Sequence, residues 1–92
     1  MGIEKIIFRS DLHKKVIMFF HENPAAIDTL RGVSTWVRAD EKLVKKVLSE
    51  LAEAGILNSI QVSSTVGYSY TQDMQTIRTI DKALSNEKKS SF

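Results

Sequence analysis

The chain has 92 residues, of which 42% are hydrophobic and 26% charged, and its net charge is +2. One domain with a single core fits that size and composition, and little room remains for an enclosed active-site pocket. No cysteine is present, which excludes a disulfide framework and a thiolate metal site, while the mild basic excess permits nucleic-acid binding without arguing for it.

The start of the chain carries Glu4 and no long apolar run, so no signal peptide is expected; the longest apolar run, Val16 to Phe20, is far too short for a membrane span. A cytoplasmic protein is the expectation. Ile3, Ile6 and Ile7 stand at helical spacing, but Phe8 breaks the stripe, so residues 1–9 form a short helix or an extended arm. Ser10 or Asp11 caps a helix that runs to about Glu22, where Asn23-Pro24 stops it. Leu12, Val16, Phe19 and Phe20 share its apolar face with Ile17 at the edge; Lys14, Lys15, His21 and Glu22 fall opposite. Ala25-Ala26-Ile27 is short and briefly extended. Asp28 then caps a second helix from about Thr29 to Val37, buried along Leu30, Val33 and Val37. Trp36 is expected to pack half-buried against a neighbouring helix. Asp40 caps a third helix, Glu41 to Ala54, and Gly55 ends it.

The period then changes from helical to alternating. Ile60 and Val62 alternate with polar residues over 58–63, Ser64-Thr65-Val66-Gly67 reads as a turn, and Tyr68 to Thr71 alternates again, which together make a β-hairpin. A last helix runs from about Asp73 to Leu84 with Met74, Ile77, Ile80 and Leu84 in one narrow stripe. The fold class is mainly α with a small β-hairpin. The segments are an arm or short helix over 1–9, a three-helix core with hairpin over 10–71, a C-terminal helix over 72–86 and a flexible tail over 87–92.

Within this order, Val44-x-x-x-Leu48-x-x-Leu51-x-x-x-Gly55-Ile56-Leu57 and Gly67-Tyr68-x-Tyr70-Thr71-x-Asp73 carry a pattern. It resembles the winged helix-turn-helix domains of bacterial and archaeal transcription regulators of the general MarR and ArsR type, over roughly residues 10–84. The resemblance implies that the third helix is a recognition helix and that the hairpin is a wing with its tip at Ser64 and Thr65. It also implies a homodimer held through terminal segments, here the stripe Met74, Ile77, Ile80 and Leu84. Two departures stand out: Ser34 occupies the place of the usual small residue in the second helix, and the wing tip has no Arg or Lys.

The residues of the third helix support a binding role directly. On a helical wheel, Lys46, Ser49 and Glu53 lie within about 40° of Lys42, and Lys45 lies about 60° to the other side. Leu43, Val44, Val47, Leu48 and Leu51 fill the opposite arc. Three lysines thus share the solvent face, with Arg38 just before the helix and Arg31 on the preceding one. Each can neutralise a phosphate of double-stranded DNA. Against this, lysine-rich helix surfaces are common, and Glu50 and Glu53 stand within pairing reach. The helix also has no Arg, Asn or Gln for bidentate base reading.

His13 and His21 lie about 12 Å apart along one helix, so no metal site is expected from them. No nucleophile turn or phosphate loop points to catalysis, and no cofactor or small-molecule effector can be inferred. The two functions in contention are a DNA-binding transcription regulator and a winged-helix protein–protein interaction module, the second favoured by the uncharged wing.

Overall fold

The computed structural model describes residues 2–90, with side chains described for 2–86. Its elements are α1 (Ile3–Ile7), α2 (Asp11–Glu22), β1 (Ile27–Thr29), α3 (Leu30–Val37), α4 (Glu41–Glu53), β2 (Leu57–Val62), β3 (Thr65–Tyr70) and α5 (Met74–Ser90). The strands form one antiparallel sheet in the order β1-β3-β2. This is a winged helix-turn-helix: α2, α3 and α4 build the core, β2 and β3 the wing.

Capping sets the helix boundaries. The Ser10 hydroxyl accepts from the His13 amide at 3.1 Å and opens α2. Its end is closed by the Asn23 side-chain amide, which donates to the Phe19 carbonyl at 2.8 Å, ahead of Pro24. The cap of α3 is Thr29, whose hydroxyl accepts from the Gly32 amide at 3.2 Å. Asp28, the expected cap, instead sits in β1 and accepts from the Thr29 amide at 2.8 Å. The extended stretch therefore runs two residues further than its sequence pattern indicated, because Ile27–Thr29 pairs with β3.

Asp40 caps α4 as expected, its carboxylate accepting from the Lys42 amide at 3.0 Å. At the other end Gly55 adopts φ 80, the Ile56 amide donates to the Leu51 carbonyl at 3.0 Å, and the Gly55 amide to that of Ala52 at 3.1 Å. That is a Schellman closure, and its two apolar members, Leu51 and Ile56, are both buried. It turns the chain directly into β2.

The core gathers Ile7, Val16, Ile17, Phe20, Val33, Val44, Leu48, Leu51, Ile56, Tyr70 and Ile80 at 0–1% exposure. The hairpin departs from its sequence reading in two ways. Its loop is Ser63-Ser64, with Thr65–Gly67 already in β3. And the alternating Ile60 and Val62 face outward, while Leu57 and Tyr70 hold the inner face. The last helix is longer than expected, running to Ser90, so the tail predicted over 87–92 is helical through residue 90 and its final two residues lie outside the described ones. Ile80 belongs to the core of its own chain and Ile77 and Leu84 pack against it, leaving Met74 exposed. The stripe is thus mostly taken up within the monomer, since α5 lies against α1.

Replacing Asp40 by Ala removes the acceptor for a first-turn amide of α4. Urea denaturation is expected to show a loss of about 1 kcal/mol, with Asp40→Asn retaining most of the parent stability.

Candidate nucleic-acid interface

Burial of Val44, Val47, Leu48 and Leu51 on α2, α3 and β2 determines which side of α4 meets solvent. Lys42, Lys45, Lys46 and Ser49 are all exposed on it. Among the described residues none of the three lysine ammonium groups has an ion-pair partner. Glu50, placed one turn beyond Lys46, makes its ion pairs with other residues instead. Its Oε1 takes the His13 Nε2–H at 2.6 Å and its Oε2 the Arg9 guanidinium at 3.3 Å. The pairing that would have made this a self-neutralised surface is therefore absent for Lys46.

Arg31 and Arg38 are also exposed. The Arg31 guanidinium stands 3.9 Å from the Glu41 carboxylate, a loose pair across the turn. Arg38 has no ion-pair partner among the described residues, and its backbone is left-handed, with φ 58 and ψ 52, where it closes α3. Ser34 is buried and its hydroxyl has no hydrogen-bond partner among the described residues. At the start of α4 the acids Asp40 and Glu41 complement the helix terminus, so the positive field lies further along the helix and on Arg38. Ser64 and Thr65 are exposed at the wing tip, on a hairpin that carries no charged side chain.

Several features escaped sequence reasoning. Leu43, assigned to the apolar arc, is 58% exposed, since it stands at the arc's edge. Trp36 is 70% exposed, with its ring 5.6 Å from Phe19 over a shallow groove also lined by Lys15, Met18 and Arg38; it is not half-buried. The spacing already held the signal, because Trp36 is out of phase with Leu30, Val33 and Val37.

The two histidines tie the domain together. His13 is buried, in phase with Val16, Ile17 and Phe20, a spacing that could have revealed it. Its Nε2–H is given to the Glu50 carboxylate, and its Nδ1 lies 2.7 Å from the Ser10 hydroxyl. His21 spans α2, β3 and α5: its Nε2 donates to Asp81 at 3.1 Å, and its Nδ1 lies 2.9 Å from the Tyr70 hydroxyl. Burial, with the nearby Asp81 charge, pushes the Tyr70 phenol up to about 12. Among the described residues no three His, Asp or Glu side chains gather as a metal site, and no helix is long and apolar enough to cross a membrane.

No protein-family model matches the sequence, and no curated protein matches it. Solved structures match its fold. A "possible transcriptional regulator" from Methanosarcina mazei superposes with a TM-score of 0.68 at 16% identity, over 98% of this chain and 82% of that one. A mutant of ZitR from Lactococcus lactis in apo form superposes at 0.62 and 16% identity, over 90% and 64%. Human N-acetylserotonin methyltransferase in complex with SAM gives 0.62 at 13% identity; this chain covers 20% of its length. The chain thus has a winged-helix fold of the kind found in transcription regulators, and the same fold also forms part of an enzyme.

The His13–Glu50 contact has a pH signature. The hydrogen bond from His13 holds the Glu50 carboxyl below its ordinary value of 4.5, aided by the charges of His13, Arg9 and Lys46 and opposed by desolvation. A carboxyl lowered in the folded state contributes stability above that value and loses it as pH falls through the folded one, because the unfolded chain then binds more protons. Thermal denaturation between pH 6 and pH 3, as a rough range around that carboxylate value, is expected to show a shallower acid limb for Glu50→Gln than for the parent.

Proposed function

We propose that the chain is a DNA-binding transcription regulator of the MarR and ArsR general type, acting on double-stranded DNA in the cytoplasm by binding and not by catalysis. Its α4 enters the major groove, and Lys42, Lys45 and Lys46 neutralise phosphates along the groove wall. Arg38 and Arg31 contact the backbone beside the helix-turn-helix, Ser49 supplies a further hydrogen bond, and Ser64 and Thr65 approach a neighbouring groove without adding charge. The observation that carries this reading is the set of three lysines exposed on the free face of α4 without an ion-pair partner among the described residues, with Glu50, one turn from Lys46, bound instead to His13 and Arg9.

The chemistry of that face sets the kind of binding. Lysine is a point charge, whereas base reading rests on the forked donors of Arg or the amides of Asn and Gln, which α4 lacks. Affinity is then mostly electrostatic, and discrimination comes from the shape of the duplex as much as from base edges. A second reading, a protein–protein interaction module, is favoured by one observation: Leu43, 58% exposed on α4, and Trp36, 70% exposed on α3, offer apolar contact where a DNA reader needs polar groups.

Titration of a labelled mixed-sequence duplex across a salt series separates the two. The parent should bind with an affinity that falls steeply with salt. Lys45→Ala with Lys46→Ala should weaken binding to all sequences and lower the log–log salt slope by about 1 for each phosphate no longer neutralised. Thr65→Ala should change little. A folded parent that does not bind duplex DNA at low salt would sink the regulator reading and leave the interaction module.

A further inference from the structure

The order β1-β3-β2 makes β2 an edge strand. A two-residue loop, Ser63-Ser64, joins it to β3 and closes on the pair Val62–Thr65. Such a loop is closed by a pair that exchanges both hydrogen bonds, so Asn58, Ile60 and Val62 direct their backbone groups toward β3. The Thr71 amide, donating to the Ile56 carbonyl at 2.9 Å, keeps the same parity. Leu57, Ser59 and Gln61 therefore aim their N–H and C=O groups off the edge. All of residues 58–62 are exposed, so no side chain or helix covers that edge.

Edge strands usually carry lysine, proline or a bulge, or lie under another element, because an open row of donors and acceptors recruits other strands. This one has none of those protections. It pairs one-to-one with β3, and no charged residue or proline occurs from Ala54 to Gln72, in a chain that is 26% charged. Its outer face is apolar as well. Ile60 is 38% and Val62 55% exposed, and on the same face Ile27, 63% exposed, lies over Gly67, where a Cβ would come within 3.0 Å of its Cγ2.

We propose that β2 pairs antiparallel with β2 of a second copy of this chain, joining the two sheets into one of six strands. Pleat parity restricts the register, since paired residues must lie on the same face. Centring on Ile60 uses the exposed residues 58–62 and leaves buried Leu57 out. Ser59 then exchanges hydrogen bonds with Gln61 of the partner subunit, and Ile60 faces Ile60 of the partner subunit in a non-hydrogen-bonded pair. The charge pattern selects a second copy as occupant: a charged strand would find no complement on this edge, whereas two neutral edges meet without repulsion although each chain carries +2. This pairing offers a route to a dimer that uses none of the α5 stripe, and its argument does not rest on the proposed DNA binding.

The chain has no cysteine, so Ile60→Cys reports the contact cleanly. Non-hydrogen-bonded pairs bring Cβ atoms closest, within disulfide reach. Mild oxidation should convert Ile60→Cys to a covalent dimer, while Thr35→Cys, exposed on α3, forms no covalent link. In sedimentation equilibrium the parent should dimerise, Ile60→Lys and Ile60→Glu should each weaken the dimer at least about tenfold by like-charge contact across the axis, and their mixture should restore it. A parent that remains a monomer, a dimer insensitive to both charges, or a strand-forming peptide that binds the edge while the chain stays monomeric would overturn the proposal. Should a charged variant fail to fold, the cysteine pair decides the matter.

Discussion

Val44, Val47, Leu48 and Leu51 form one side of α4, and their burial between α2, α3 and β2 governs what the remaining sides can do. Full burial of such a side chain contributes about 1.5–3 kcal/mol, so rotating α4 to hide its lysines would remove several of these contributions together. The same rotation angle brings Glu50 to the boundary of the core, where it meets His13 from α2 and Arg9 from the preceding link. Glu50 is therefore bound to His13 and Arg9, and Lys46 is left without an ion pair to it. The Gly55 closure then delivers the chain into β2 beside the same helix. Core packing, surface charge and wing position are in this sense one geometric decision.

How much of this was legible in the sequence follows from what each pattern encodes. Helix ends were readable because capping is local: Ser10, Asp40 and Gly55 act within a few residues of themselves. Core positions at i, i+3, i+4 and i+7 were readable for the same reason. The extension of β1 through Thr29 was not, since it depends on pairing with β3 some forty residues away (positions 67–69). Nor was the facing of the hairpin. Alternation shows that the two faces of a strand differ but not which one turns inward, and in β2 the more apolar set, Ile60 and Val62, is the outer one. The α5 stripe posed the matching problem for helices: a narrow apolar line looks the same whether its own chain or a second chain covers it, and contact with α1 gives Ile80 to the monomer.

The candidate interface was legible in composition but not in balance. Lys42, Lys45 and Lys46 could be placed on one side of a helix from spacing alone. Their freedom depended on where Glu50 pointed, and that followed from a histidine thirty-seven positions earlier in the chain. The acids at the start of α4 show a second balance. Asp40 and Glu41 favour the helix because they meet its positive end, yet they stand where a phosphate would otherwise be drawn. Lys42, in the first turn, stands beside these acids, so the positive charge is least offset at Lys45, Lys46 and the neighbouring Arg38.

Arg38 adds an independent argument for that footprint. Its φ of 58 puts a long side chain in the left-handed region, which costs an L-residue about 1–2 kcal/mol and where glycine or asparagine commonly closes a helix. A cation at the end of α3 recovers about 0.3–1 kcal/mol through the helix dipole, less than the backbone cost. Folding alone would thus favour glycine at this turn. Arg38 makes no ion pair among the described residues and stands beside the first residues of α4, so no ion pair offsets the difference. An arginine held against the backbone's preference, at the entrance to a lysine-bearing helix, supports the proposed contact with a phosphate backbone.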